Sequence, residues 1–118
     1  MAESIVMAKS MNFAVRIVGL YKYLVEEKKE FVLSKQTLRS GTSIGANIRE
    51  GKYAQSRKDY ISKNSIALKE AAETGYWLDL LLETQYIDKQ QFESLKADCD
   101  ELLKLLTSIV KTAKYNEK

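Results

Sequence analysis

Leu38-Arg39-Ser40-Gly41-Thr42-Ser43-Ile44-Gly45-Ala46-Asn47-Ile48-Arg49-Glu50-Gly51 is the stretch on which the fold turns. It is built of small residues, yet the segments on both sides are rich in Leu, Ile, Val, Tyr and Phe. Gly41 and Gly45 are four apart, so on a helix they share one face with Ser40, Ser43 and Ala46 beside them. Two interior glycines weaken a helix by about 1 kcal/mol each relative to alanine. Close approach of another backbone explains why they are there, since no Cβ stands in the way. Asn47 and Glu50 border this surface and need partners if buried. The expectation is that this helix forms the tight seam of an all-helical bundle.

Working outward, Ser65, Ala67, Ala71, Ala72 and Gly75 form a second small-residue run, the expected partner of the Gly41–Ala46 surface. That run lies on a helix carrying Ile61, Leu68, Leu78 and Leu82 at heptad-like spacing, with Trp77 and Leu78 filling the wider core. Ser56, with Asp59 three residues on, caps its start. Upstream, Val6, Ser10, Phe13, Ile17, Leu20 and Leu24 step by three and four along a helix from Ser4 to about Lys29. Val18, Tyr21 and Val25 make a second stripe there, a candidate subunit-facing surface. Phe31-Val32-Leu33 is an apolar connector expected to tuck under the bundle end, and Ser34 is the expected N-cap of the second helix, which fades between Gly51 and Gln55. Downstream, Gln85-Tyr86-Ile87 turns, Asp88 caps, and Phe92, Leu95, Cys99, Leu102, Leu106, Ile109 and Ala113 mark a fourth helix.

Short connections between long helices dictate antiparallel neighbours. The predicted fold is all-α: an antiparallel, up-down-up-down four-helix bundle forming a single domain over residues 1–118. The composition agrees, with no Pro, five Gly and 30% charged residues in 118. A lone Cys99 excludes an internal disulfide, and the absence of His removes His-based triads and zinc sites. No cofactor is expected. The start, Met-Ala-Glu-Ser, lacks a signal peptide's basic and apolar regions, and no apolar run approaches membrane-spanning length. A soluble, cytoplasmic protein without membrane contact is the expectation.

Two blocks carry a family resemblance: Thr42-Ser43-Ile44-Gly45-Ala46-Asn47-Ile48-Arg49-Glu50-Gly51 and Ile66-Ala67-Leu68-Lys69-Glu70-Ala71-Ala72-Glu73-Thr74-Gly75-Tyr76-Trp77-Leu78. With Phe31–Gln36 and Asp59-Tyr60-Ile61, they resemble the four-helix-bundle proteins encoded in intervening sequences of the bacterial large-subunit ribosomal RNA gene. The resemblance extends over nearly the whole chain. It implies a ring-like homo-oligomer, a homopentamer, with no established enzymatic activity, and it marks Gly41, Ser43, Gly45, Asn47, Glu50, Gly51, Glu70, Glu73 and Trp77 as signature or structural positions. The accessory protein of diversity-generating retroelements is distantly similar, and it acts with a reverse transcriptase and nucleic acid.

The net charge of +3 permits an anionic partner without demanding one. Lys35, Arg39, Arg49, Lys52, Arg57, Lys58 and Lys63 stand against only Glu50 and Asp59, a local excess of seven minus two, or five. Tyr53 and Tyr60 are interleaved and offer rings to unpaired bases. A ring of subunits would multiply this field. The competing reading is a solvated face with structural ion pairs. Glu50, Glu70 and Glu73 form a second constellation. An acidic metal or acid–base site there lacks the Glu-x-x-His pattern, so salt bridges with Arg39 or Arg49 and hydrogen bonds to Asn47 are favoured. Cys99, at a core position, is an apolar filler rather than a reactive thiol.

The function expected is that of a non-enzymatic, homo-oligomeric module holding RNA or DNA on the second and third helices, with a protein partner in addition. The alternatives are a protein-interaction scaffold with no nucleic-acid role and, third, a metal-dependent enzyme on the three glutamates.

Overall fold

Four helices make up nearly all of the chain: α1 (Ala2–Glu26), α2 (Leu33–Lys52), α3 (Arg57–Glu83) and α4 (Lys89–Asn116). The computed structural model describes residues 2–116, and side chains from residue 4. Among these there is no strand. The helices form an antiparallel four-helix bundle in up-down-up-down order, about 49 Å long. Each helix packs closely on two others, α1 and α3 both lying between α2 and α4, so that α1 and α3 stand diagonally and approach only through core side chains.

The first stripe of α1 is the spine of the core: Val6, Ser10, Phe13, Ile17, Leu20 and Leu24 are all buried. All but Ser10 meet Ile44 and Ile48 of α2, Leu78 and Leu81 of α3, and Leu95, Leu102 and Leu106 of α4 in one cluster. Cys99 belongs to it. Its thiol donates to the Ala71 carbonyl at 3.3 Å, and burial pushes its pKa up to about 12.

The small-residue seam is real, but its partner is not the expected one. A Cβ on Gly41 would stand 2.8 Å from Ile17 Cγ2, and one on Gly45 would stand 3.2 Å from Ser10 Oγ, so this face is pressed on α1. The residue that meets α3 is Ser40, whose hydroxyl accepts a buried hydrogen bond from Thr74 at 2.9 Å. Adjacent helix positions point about 100° apart, so once Ser40 faces α3, Gly41 is turned away from it. Gly75 likewise faces α4, near Lys96 and Cys99. It is Gly51 that makes the close α2–α3 approach, against Asn64 and Lys63.

The caps divide in the same way. Ser56 accepts from the Asp59 amide at 3.1 Å, although the Asp59 carboxylate takes the Gln55 amide instead of closing a box on Ser56. Asp88 and Gln91 cap α4 reciprocally, at 2.8 and 2.9 Å. Ser34 is not a cap. It lies inside α2, fully buried, and its hydroxyl donates to the Glu30 carbonyl. The cap comes from Glu30, whose carboxylate accepts from the amides of Val32, Leu33 and Ser34. For Glu30 to reach them, α1 ends at Glu26, short of the expected Lys29, and Lys29 adopts a left-handed φ of 55° that reverses the chain. The reversal leaves Phe31 and Val32 exposed rather than tucked under the bundle.

Candidate nucleic-acid interface

The α2–α3 turn closes one end of the bundle, and the cationic residues there are held by helix ends. Arg49 and Lys52 occupy the last turn of α2, where positive charge complements the helix dipole. Tyr53 follows as the C-cap residue, 74% exposed, with the Lys52 ammonium 5.8 Å from its ring centroid. Arg57 and Lys58 open α3, both exposed. Arg57 and Tyr60 line a cleft of about 460 Å³ whose other wall is the last turns of α4, with Ser108, Thr112 and Asn116. That contact brings the C-terminal part of α4 to the same end, and with it the exposed Lys111 and Lys114.

None of Arg49, Lys52, Arg57, Lys58, Lys111 or Lys114 joins the ion pairs formed among the described residues. These six cations, with Tyr53 among them, are the candidate interface. Lys111 and Lys114 are missing from the sequence-based set because they lie more than fifty positions from Arg57. Antiparallel pairing of α3 with α4 is the signal that would have found them.

The remaining predicted binding residues fall elsewhere. Lys35 is exposed near the other end, 17 residues and about 26 Å of helix from Lys52. Arg39 is committed to α3. Its guanidinium donates to Glu73 and, at 3.1 Å, to Glu70. Its hydrogen bond to Glu73 holds Arg39 above its ordinary pKa. The Trp77 indole donates to the same Glu73 carboxylate at 2.9 Å, and this bond, followed by that from Arg39, lowers the Glu73 pKa. Trp77 is therefore a half-buried clasp residue, while Leu78 and Leu81 fill the core. Lys63 pairs with Glu50 at 3.4 Å.

Those two clasps pull the acidic constellation apart. Glu70 and Glu73 stay together under Arg39, whereas Glu50 lies about 16 Å of helix further along α2. Among the described residues, no group of three acidic, Cys or His side chains is placed to hold a metal ion. Arg49 joins none of these acids, and Asn47 donates to the Ser43 carbonyl of its own helix at 2.9 Å, not across the seam. No described helix is long and apolar enough to cross a membrane.

Comparison with known proteins agrees with the fold and the signature blocks. Among curated proteins none matches the chain. A crystal structure of a protein of unknown function, of the S23 ribosomal protein family from Bacteroides thetaiotaomicron VPI-5482, is 63% identical. The match covers 94% of this chain and 99% of that one, with a TM-score of 0.93. The model of the 23S rRNA-intervening sequence protein family matches residues 2–108, and the chain belongs to that family.

Proposed function

We propose that the protein is a non-enzymatic, homo-oligomeric cytoplasmic module that holds RNA or DNA on the basic end of its bundle. The observation that carries this reading is the set of exposed cations outside the ion pairs, Arg49, Lys52, Arg57, Lys58, Lys111 and Lys114, on the helix ends that meet at one end of the bundle, with Tyr53 exposed beside Lys52. Cations that merely solubilise a surface need not converge on one end, and those that clasp helices, such as Arg39 and Lys63, carry acidic partners. Unpaired cations beside an exposed ring suit a phosphate backbone with unstacked bases. Five copies around a ring, as the family resemblance implies, would strengthen the field.

Fluorescence anisotropy with single-stranded RNA and DNA probes at low salt tests this. Binding should weaken steeply as salt rises, and joint reversal of Arg49, Lys52, Arg57 and Lys58 to Glu should abolish it with helicity unchanged. Lys35→Glu should leave it intact. Wild-type protein with no salt-sensitive binding would sink the proposal.

A scaffold role without nucleic acid is the second reading, favoured by the uncharged outer face of α1. Recovery of one stoichiometric foreign protein from nuclease-treated lysate, with no retained nucleic acid, would support it instead.

A further inference from the structure

The cleft between the start of α3 and the last turns of α4 has two rows of side chains on its α4 wall. Ser108, Thr112 and Asn116 step by four along one row, and Ile109 and Ala113 along the next. The first row is polar and exposed over about 12 Å of helix, whereas the second is apolar and buried. Opposite stand Arg57 and Tyr60, three apart and so on one face of α3. An apolar floor under a polar rim is the make-up of a small-molecule site. The volume of about 460 Å³ falls within the range of about 300–1,000 Å³ that such sites occupy.

The rim keeps its hydrogen-bonding capacity. Hydroxyls within these helices commonly donate to the carbonyl one turn earlier, as Thr37, Thr42, Ser43, Thr74 and, next to the cleft, Thr107 do. Ser108 and Thr112 make no hydrogen bond with any described residue. The charge beside them has one sign. From Leu102 to Asn116 α4 carries no acid, and Lys104 and Lys111 lie four positions before and three after Ser108, on the same stripe. Both lysines are exposed and outside the ion pairs formed among the described residues. Across the cleft the Asp59 carboxylate is turned to the Gln55 amide, which leaves Arg57 as the charge on that wall.

We propose that the cleft receives one unpaired base of a single strand, with the adjoining phosphates on Arg57 and Lys111. The ring lies against Ile109, Ala113 and Tyr60. Ser108, Thr112 and Asn116 meet its hydrogen-bonding edge, each able both to donate and to accept. In a duplex that edge is taken by the complementary base, so a paired base cannot enter. Phosphate contacts alone favour the duplex, whose charge density is higher. The cleft reverses that order and selects the unpaired form. The inference rests on the nucleic-acid reading above and adds the class of strand that is held.

Anisotropy titrations of the full chain at one low salt concentration test it, using an unstructured strand and the duplex made from it. Wild type should hold the single strand about tenfold more tightly than the duplex. A 2-aminopurine within the strand should change its emission on binding, as a base does when it leaves its stacked neighbours. Ser108→Leu with Thr112→Leu fills the cleft and removes both hydroxyls without altering charge. Both positions are exposed and leucine suits a helix, so circular dichroism should match wild type. The double variant should lose the preference, its single-strand affinity falling to the duplex level, and should leave the emission unchanged. A variant that keeps the preference puts the unpaired base elsewhere, and wild type that binds both forms alike holds no base in the cleft. Either result overturns the inference and leaves the basic end as a phosphate-binding surface. Wild type that binds neither form would overturn the nucleic-acid reading as well.

Discussion

Glu30 shows what a single carboxylate does here. Burial works to raise its pKa, but hydrogen bonds from the amides of Leu33, Ser34 and Val32 outweigh it and hold the pKa below the ordinary 4.5. A folded-state pKa below the unfolded one adds stability that is complete above about pH 4.5 and is lost as pH falls through the folded value. Glu30→Gln should therefore cost about 1–2 kcal/mol in urea denaturation at pH 7. The gap between wild type and variant should shrink below pH 4.5. Equal gaps at pH 7 and pH 3 would show that the charge is not what caps α2. The sequence shows Ser56 and Asp88 as caps because each precedes its helix by one residue. Glu30 escapes notice because it reaches three residues ahead, and only after Lys29 has turned the chain.

At the scale of elements, the glycines separate into those that bring helices together and those that do not. Gly41→Ala would drive a methyl into Ile17, so overpacking of about 1–3 kcal/mol should exceed the gain of up to about 1 kcal/mol in helix propensity. Gly75→Ala meets Lys96 Cε at 3.6 Å, ordinary contact, and should be neutral or stabilising by up to about 1 kcal/mol. Thermal melts should show a lowered midpoint for Gly41→Ala and an unchanged or raised one for Gly75→Ala. If Gly41→Ala melts no lower than wild type, the α1–α2 approach is looser than described. Small residues on α2 announce a close contact, but the helix they meet depends on a step of about 100°, which heptad counting does not resolve.

For the whole molecule, the basic end is a product of topology, because α4 returns antiparallel beside the start of α3. Lys111→Glu with Lys114→Glu should weaken single-stranded RNA binding, and the log–log salt slope should flatten by about 0.7 for every phosphate no longer neutralised. If that pair binds like wild type while the α2–α3 reversals do not, the interface ends at Arg57 and excludes α4. Helix count, antiparallel order and the α1 spine were legible in the sequence, since three- and four-residue spacing of apolar side chains dictates which stripe each helix buries. Which cations stay free was not. Arg39 and Lys63 read as members of one basic cluster with Arg57, and only packing shows acids of the neighbouring helix beside them. A local pattern determines the face that leaves water; the partner across that face is set by how helices rotate and align when all four close on one core.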